Sequence, residues 1–423
     1  MNWDVNYYPE YWNGIKLAYP DVPKEHPKFA QSISVGNLVF VSGCVGQDTN
    51  TGAQPPASVA DQVNLALEQA RSALETAGSS MANIVKTFFL ITNLDDYAEV
   101  RKTETEYYEK FAPLLIEKPP AATLMVVPSL AKPEFLAEYE VTAAIDRSAK
   151  DWTVEYYPEY WGGKELAYPH VPKDHAKFAR TQAVGNLVIV SGCQALDHDT
   201  VKVEEFDFAR QTEIVLDKIK IGMEETGGSL GSVAKTNVFI KDLNELSLYR
   251  EIEQAYYQKH VPDIGDDMPA STAFIVKELP RPEFVVEVEA FGLINKAKPD
   301  FSAEFYQGNQ FASQSVRAGN LLFLSGCDGN GKNNVEAQII TALDKIRNGM
   351  EQASSSLNNL IKTTMMLKNL SDYPMMRKTE VEYYQTHAPQ LVEKPPVCTF
   401  IELPEISGKD TLFQMDAIGL TQI

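Results

Sequence analysis

The sequence predicts an α+β protein made of three copies of one ββαβαββ unit, packed as an intramolecular pseudo-threefold trimer. Three observations carry this reading. The first is repetition. Residues 3–18 (WDVNYYPEYWNGIKLA) return at 152–167 (WTVEYYPEYWGGKELA), and VGNLVFVSGC at 35–44 returns at 184–193 and, as AGNLLFLSGC, at 318–327. Cys44 to Cys193, Arg101 to Arg250 and Glu140 to Glu289 are all spaced by 149 residues. Between the second and third copies the offset falls from 134 at Cys327 to 127 at Arg377 and Asp416, so the third copy is shortened after its SGC turn. The second observation is length: 423 residues correspond to about three domains, each able to bury a core of its own. The third is the close alternation of strand and helix patterns inside each copy. It places both helices on one sheet face and leaves the other face for the neighbouring copies. The expected boundaries are 1–149, 150–297 and 298–423.

The elements follow in order. An aromatic arm (3–28) holds Tyr7, Tyr8, Pro9, Tyr11 and Trp12. It recurs at 152–177 and is cut to PDFSAEFYQGNQ in the third copy. Such an arm either seals a seam between copies or forms a lid over a cleft. FAQSISV alternates and NLVFVSG is almost wholly apolar, as a flanking and a central strand would be. After a turn-rich loop, ASVADQVNLALEQARSALETAG has helical spacing and ends in glycine. NIVKTFFLITNL is a strand, and DDYAEVRKTETEYYEKF is a second helix with Asp95 or Asp96 placed to cap it. TLMVVPSL and FLAEYEVTAAI close the unit as strands.

Lys plus Arg is 38 and Asp plus Glu 58, a net charge of −20. That argues against a nucleic acid or an anionic membrane as partner, while leaving room for a small anionic ligand held by a local cation. No apolar run is long enough to span a bilayer, and the N-terminus lacks the pattern of a signal peptide. Four cysteines, three at one repeated site, do not form a disulfide framework. A cytoplasmic monomer is expected. Six histidines and four cysteines show no ligand spacing, so neither a metal nor a cofactor is expected.

GNLVFVSG, the AG…IVKTFFLITNLDDY block and the pair PPAATLMVVPSL…EYEVTAA, in this order and three times over, resemble the Rid family of reactive intermediate/imine deaminases, also called YjgF-like. The resemblance implies chorismate-mutase-like domains assembled as a trimer, with clefts between subunits that hydrolyse enamines or imines to ketones and ammonia. It also implies site residues, and here the chain departs from the pattern. The deaminase branch has a substrate-gripping arginine in a Pro-x-Arg-Ser context. The matching positions read Ala121, Ser271 and Val397. None of these side chains replaces a guanidinium. The pocket tyrosine aligns with Phe29, Phe178 and Phe311, and the family's SGQ turn is SGC.

A different arginine recurs. Arg101, Arg250 and Arg377 open an R-x-x-E-x-x-Y-Y pattern on the second helix. The spacing puts Arg, Glu and the first Tyr on one face. Such a set is either a salt bridge above core tyrosines or a relocated substrate arginine oriented by its glutamate. The closing strand carries EYE, EVE and QMD. By resemblance the second carboxylate (Glu140, Glu289 and Asp416) positions the hydrolytic water, although edge-strand solvation also accounts for it. Cys44, Cys193 and Cys327 either fill a tight turn or line the substrate pocket; a nucleophilic role would need a base. His26 and His175 are the only repeated histidines. The expected activity is hydrolysis at a C–N or C=N bond of a small enamine or imine acid, or a cyclic relative. A non-catalytic small-molecule binder and a scaffold with closed clefts are the rivals.

Overall fold

The computed structural model describes residues 3–17, 29–161, 164–165, 178–197, 202–203, 207–265, 267–294 and 303–421. In the first unit the strand order is Ala121–Val126, Ile84–Ile91, Ala137–Ala144, Leu38–Val41, Ala30–Val35, Val5–Trp12. The first pair is parallel and the rest antiparallel. The second unit repeats this order with Ala270–Ile275, Val233–Ile240, Val286–Leu293, Leu187–Gln194, Ala179–Val184 and Val154–Pro158. The third does so with Val397–Glu402, Leu360–Leu367, Phe413–Leu420, Leu321–Leu324, Ser315–Ala318 and Ala303–Tyr306. The arm is therefore a further sheet strand. In the first unit it turns back through Ile15–Leu17, and in the third it survives as the stub Ala303–Tyr306.

The first helix of each unit (Val59–Thr76, Phe208–Glu225, Val335–Gln352) starts at a side-chain cap supplied by Ser58, Asp207 or Asn334. The second helices are Tyr97–Phe111, Leu246–His260 and Tyr373–His387. Capping there does not fall to Asp95 or Asp96. A single 3-10 turn precedes the helix, and Asn93 accepts from the Asp95 N–H, as Asp242 and Asn369 do at the equivalent turns.

Strand alternation divides the two faces. Along Ala137–Ala144, the side chains of Ala137, Tyr139, Val141 and Ala143 join the core beneath the helices. Glu138, Glu140 and Thr142 take the opposite face, where they too are buried. That opposite face meets the other units. Edge strand docks on neighbouring strand in a cycle: the Ala179 N–H donates to the Pro120 carbonyl, Ser313 to Met268, and Ala30 to Pro396. Ser191, Ser325 and Ser42 each accept from a backbone N–H of the adjoining unit, at Ala122, Ser271 and Cys398.

Two apolar clusters drawn from all three units fill the centre, one containing Phe40, Ile189 and Phe323, the other Phe88, Phe239, Phe274 and Met366. Where they meet, a cavity of about 30 Å³ is lined by Lys86, Lys235, Lys362, Glu140, Glu289 and Asp416. Each lysine pairs with the carboxylate of another unit: Lys86 with Glu289 at 3.1 Å, Lys235 with Asp416 at 2.5 Å and Lys362 with Glu140 at 2.6 Å. Thr123, Thr272 and Thr399 donate to the same three carboxylates. Two buried lysines and a third, Lys362, that is largely buried would be costly alone; pairing and hydrogen bonding offset the desolvation.

Candidate functional site

Between the first and third units lies a cleft of about 750 Å³. Its inner end brings Arg377, Tyr373, Cys398 and Phe400 of the third unit against Glu138, Cys44 and Phe29 of the first. Its outer end is walled by the arm residues Glu10, Tyr11 and Trp12.

The repeated arginines are not surface pairs. Each is braced by the glutamate three residues on, Arg101–Glu104 at 2.8 Å, Arg250–Glu253 at 2.7 Å and Arg377–Glu380 at 2.7 Å, with both members largely buried. From there the guanidinium reaches the edge strand. Arg250 Nη1 donates to Ser271 Oγ at 2.8 Å, and Arg377 Nη2 to Cys398 Sγ at 3.2 Å. The register makes Ala122, Ser271 and Cys398 equivalent, pairing with Thr87, Thr236 and Thr363. This corrects the sequence alignment at two places. Ala121 and Val397 instead belong with Ala270 in the central core. The small residues at 122, 271 and 398 leave room for an arginine arriving from the helix.

The carboxylates need a larger correction. Glu140, Glu289 and Asp416 lie in the central lysine ring and not in the clefts. Burial pushes Glu140 up, but Lys362 and Lys86 together hold it below the usual carboxylate range. The carboxylate facing the cleft is two residues earlier, Glu138, with Glu287 and Gln414 as its counterparts. Both pairs share one sheet face, so spacing alone does not separate cleft from axis. Burial, reinforced by Glu140, pushes Glu138 up to about 8. Burial likewise raises Glu287 to about 8. Gln194 stands near Glu287, yet neither carboxylate oxygen meets hydrogen-bond geometry. The SGC glycine follows from this packing: a Cβ on Gly43 would fall 1.7 Å from Glu138 Oε1, and one on Gly326 2.2 Å from Gln414 Nε2.

The other expected residues divide. Phe29 lines the cleft and Phe178 is buried at the equivalent place. Phe311 is one residue out of step: Ser42, Ser191 and Ser325 donate to the carbonyls of Ala30, Ala179 and Ser313, so Ala312 is the counterpart of Phe29. A one-residue slip exchanges the two faces. Cys44, Cys193 and Cys327 pack in the cores beneath the helices, with Cys44 also at the cleft wall. Burial pushes Cys193 and Cys327 to about 12 and Cys44 well up, so the thiols stay neutral. His26 and His175 lie outside the described residues.

Counterpart residues approach one another at the other two boundaries. Arg101, Arg281 and Glu287 all bear on Tyr97 across the boundary of the first and second units. Arg250 and Gln414 converge where the Gly326 N–H donates to the Ser271 carbonyl. Among the described residues no group of three or more His, Cys, Asp or Glu is placed to hold a metal ion, and no helix is long and apolar enough to cross a membrane.

The model of the family described as Endoribonuclease L-PSP matches at residues 21–145, 169–294 and 303–420. A RutC family protein of Pyrococcus abyssi is 33% identical over 128 residues, covering 30% of this chain and 94% of the relative. The 2-iminobutanoate/2-iminopropanoate deaminase of Escherichia coli is 28% identical over 130 residues, covering 31% of this chain and 97% of that enzyme. The crystal structure of the Escherichia coli YjgF gene product aligns at 28% identity and a TM-score of 0.26, covering 28% of this chain and 90% of that one. With three matches that together span most of its length, this chain belongs to the Endoribonuclease L-PSP family, the YjgF/Rid proteins.

Proposed function

We propose that this protein hydrolyses the C=N bond of a small imino acid in clefts between its own units, the three units (1–149, 150–297 and 298–423) forming a pseudo-threefold ring within a monomer. The observation that carries this is the meeting of Arg377 and Glu138, from different units, in one open cleft. The guanidinium, held by Glu380 and Tyr373, supplies the cation for a substrate carboxylate. A carboxylate is a far better acceptor than the Cys398 sulfur it would displace. Glu138 is protonated at neutral pH and gives its proton to the imine nitrogen. Its carboxylate then takes a proton from the water that attacks the iminium carbon. Return of that proton to nitrogen makes ammonia the leaving group, and as the carbinolamine collapses its hydroxyl proton passes back to the Glu138 carboxylate, leaving the neutral ketone and the protonated acid. Glu287 with Arg101 does the same in the second cleft. Gln414 carries no titratable proton, so the Arg250 cleft binds without turnover. The net charge of −20 disfavours RNA as the ligand.

The test is ammonia release from 2-iminobutanoate generated in situ. Losing a charge-assisted contact of about 1.5–3 kcal/mol lowers turnover roughly 10- to 150-fold. Arg377→Ala and Arg101→Ala should each remove the contribution of their cleft, and Arg250→Ala should have the smallest effect. Equal ammonia release from wild type and all three folded variants would overturn the reading. A light-scattering mass near three chains, in place of 47.1 kDa, would remove the internal ring.

A further inference from the structure

The first and second units repeat the arm closely enough to serve as controls for each other. Pro9 pairs with Ala30 and Pro158 with Ala179. The next residue on each arm is a glutamate, Glu10 or Glu159, and the next on the facing strand is Gln31 or Arg180. In the second unit the two charges meet: Arg180 Nη2 lies 3.2 Å from Glu159 Oε1. In the first unit the arginine is replaced by Gln31, which lines the cleft beside Glu10. Glu10 makes no ion pair among the described residues, and burial pushes it up to about 7. Among the described residues the first unit therefore keeps the anion without the arginine that pairs with it in the second unit, at the outer end of the cleft.

Two of the other charges of the cleft are compensated. Arg377 is balanced by Glu380 and Glu68 by Arg71. Lys132 is turned to Gln47 Oε1 at 3.2 Å. Phe29 and Phe400 also line the cleft, and aromatic faces favour cations, whereas the Trp12 and Phe135 rings already lie under the Lys132 ammonium. The volume of about 750 Å³ also exceeds what a short imino acid fills. Even at roughly 30 Å³ per heavy atom, the share of one water in its liquid, the seven heavy atoms of 2-iminobutanoate occupy no more than about 200 Å³.

We propose that this cleft selects extended imino acids ending in a cation, an ammonium or a guanidinium, with Glu10 as the residue that recognises that end and Gln31 as the substitution that leaves it free. The carboxylate end rests on the Arg377 reading given above. The second unit's arm, already satisfied by Arg180, has no such preference.

Three unreactive six-carbon probes separate the possibilities: hexanoate, adipate and 6-aminohexanoate, titrated calorimetrically into the full chain at pH 8. The expected result is one site per chain that binds 6-aminohexanoate at least about tenfold more tightly than hexanoate, with adipate weakest. Glu10→Gln should collapse that ratio toward one. Gln31→Arg, which copies a pairing the second unit already accommodates, should do the same. A wild-type ratio of one, a preference for adipate, or an ammonium preference that survives both substitutions would overturn the proposal. Arg377→Ala reports separately: hexanoate binding unchanged by it would refute the carboxylate end while leaving the Glu10 comparison to stand or fall on its own.

Discussion

Glu138→Gln should stabilise this protein in alkaline solution, and the third unit shows why the substitution fits. Gln414 occupies the equivalent place, its Nε2 packed against Gly326 as Glu138 Oε1 packs against Gly43, with a hydrogen bond to the Ala273 carbonyl at 3.4 Å. Volume and glycine contact are thus compatible with an amide. The gain comes from charge. An unfolded glutamate titrates near 4.5, whereas burial and Glu140 push Glu138 to about 8 in the fold. Between those values the native state keeps a proton that the unfolded chain has lost. Stability therefore falls as pH rises through this window, by about 1.4 kcal/mol per pH unit, to a ceiling of about 4–5 kcal/mol. Below pH 4.5 both states are protonated and the group contributes no slope. Urea denaturation of wild type and Glu138→Gln at pH 5, 6, 7 and 8 reads this directly. The variant's curve should be shallower by about 1.4 kcal/mol per unit, so the two diverge toward alkaline pH. Parallel curves would refute the argument, because they would mean that Glu138 is solvated or paired in the fold.

Three further outcomes follow. Lys362→Met leaves Glu140 buried and unpaired and should cost about 3–5 kcal/mol, while adding Glu140→Gln should recover most of it; a neutral single variant in urea denaturation would show that the ring is hydrated. Cys44, Cys193, Cys327 and Cys398 are all buried with raised thiol pKa values, so iodoacetamide at pH 7.5 should label them only after denaturation, and rapid native labelling of Cys44 would restore a reactive-thiol reading. Gln414→Glu gives the Arg250 cleft the acid it lacks and should raise ammonia release per chain; no gain in a folded variant would mean that this cleft is closed for another reason.

The repeat pattern made the unit and its element order legible because hydrophobic alternation is a local property that each copy states again. The helix arginine was legible for the same reason, recurring in a third copy that had drifted elsewhere. What sequence could not settle was position along a face. Glu138 and Glu140 point the same way from one strand, and only their contacts with the third unit put Glu138 in a cleft and Glu140 against Lys362. Phe311 falls one residue out of step in sequence because two adjacent residues, Phe311 and Ala312, compete for one register, and the serine contacts to Ala30, Ala179 and Ser313 decide it. Lys86, Lys235 and Lys362 carried a signal that was available: they keep the spacings of 149 and 127, and a lysine inside an apolar strand needs a buried partner. The contrast between Gln31 and Arg180 was equally visible in sequence but had no meaning until the arm was seen to lie beside them.

The most direct test of the account is ammonia release from 2-iminobutanoate by Glu138→Gln/Glu287→Gln, with folding verified by the stability gain described above. General acid–base groups contribute about 10²- to 10⁴-fold, and removing both leaves only the Gln414 cleft. A fall of at least about a hundredfold with the fold intact is expected. Undiminished release would show that the chemistry does not run through these carboxyl groups.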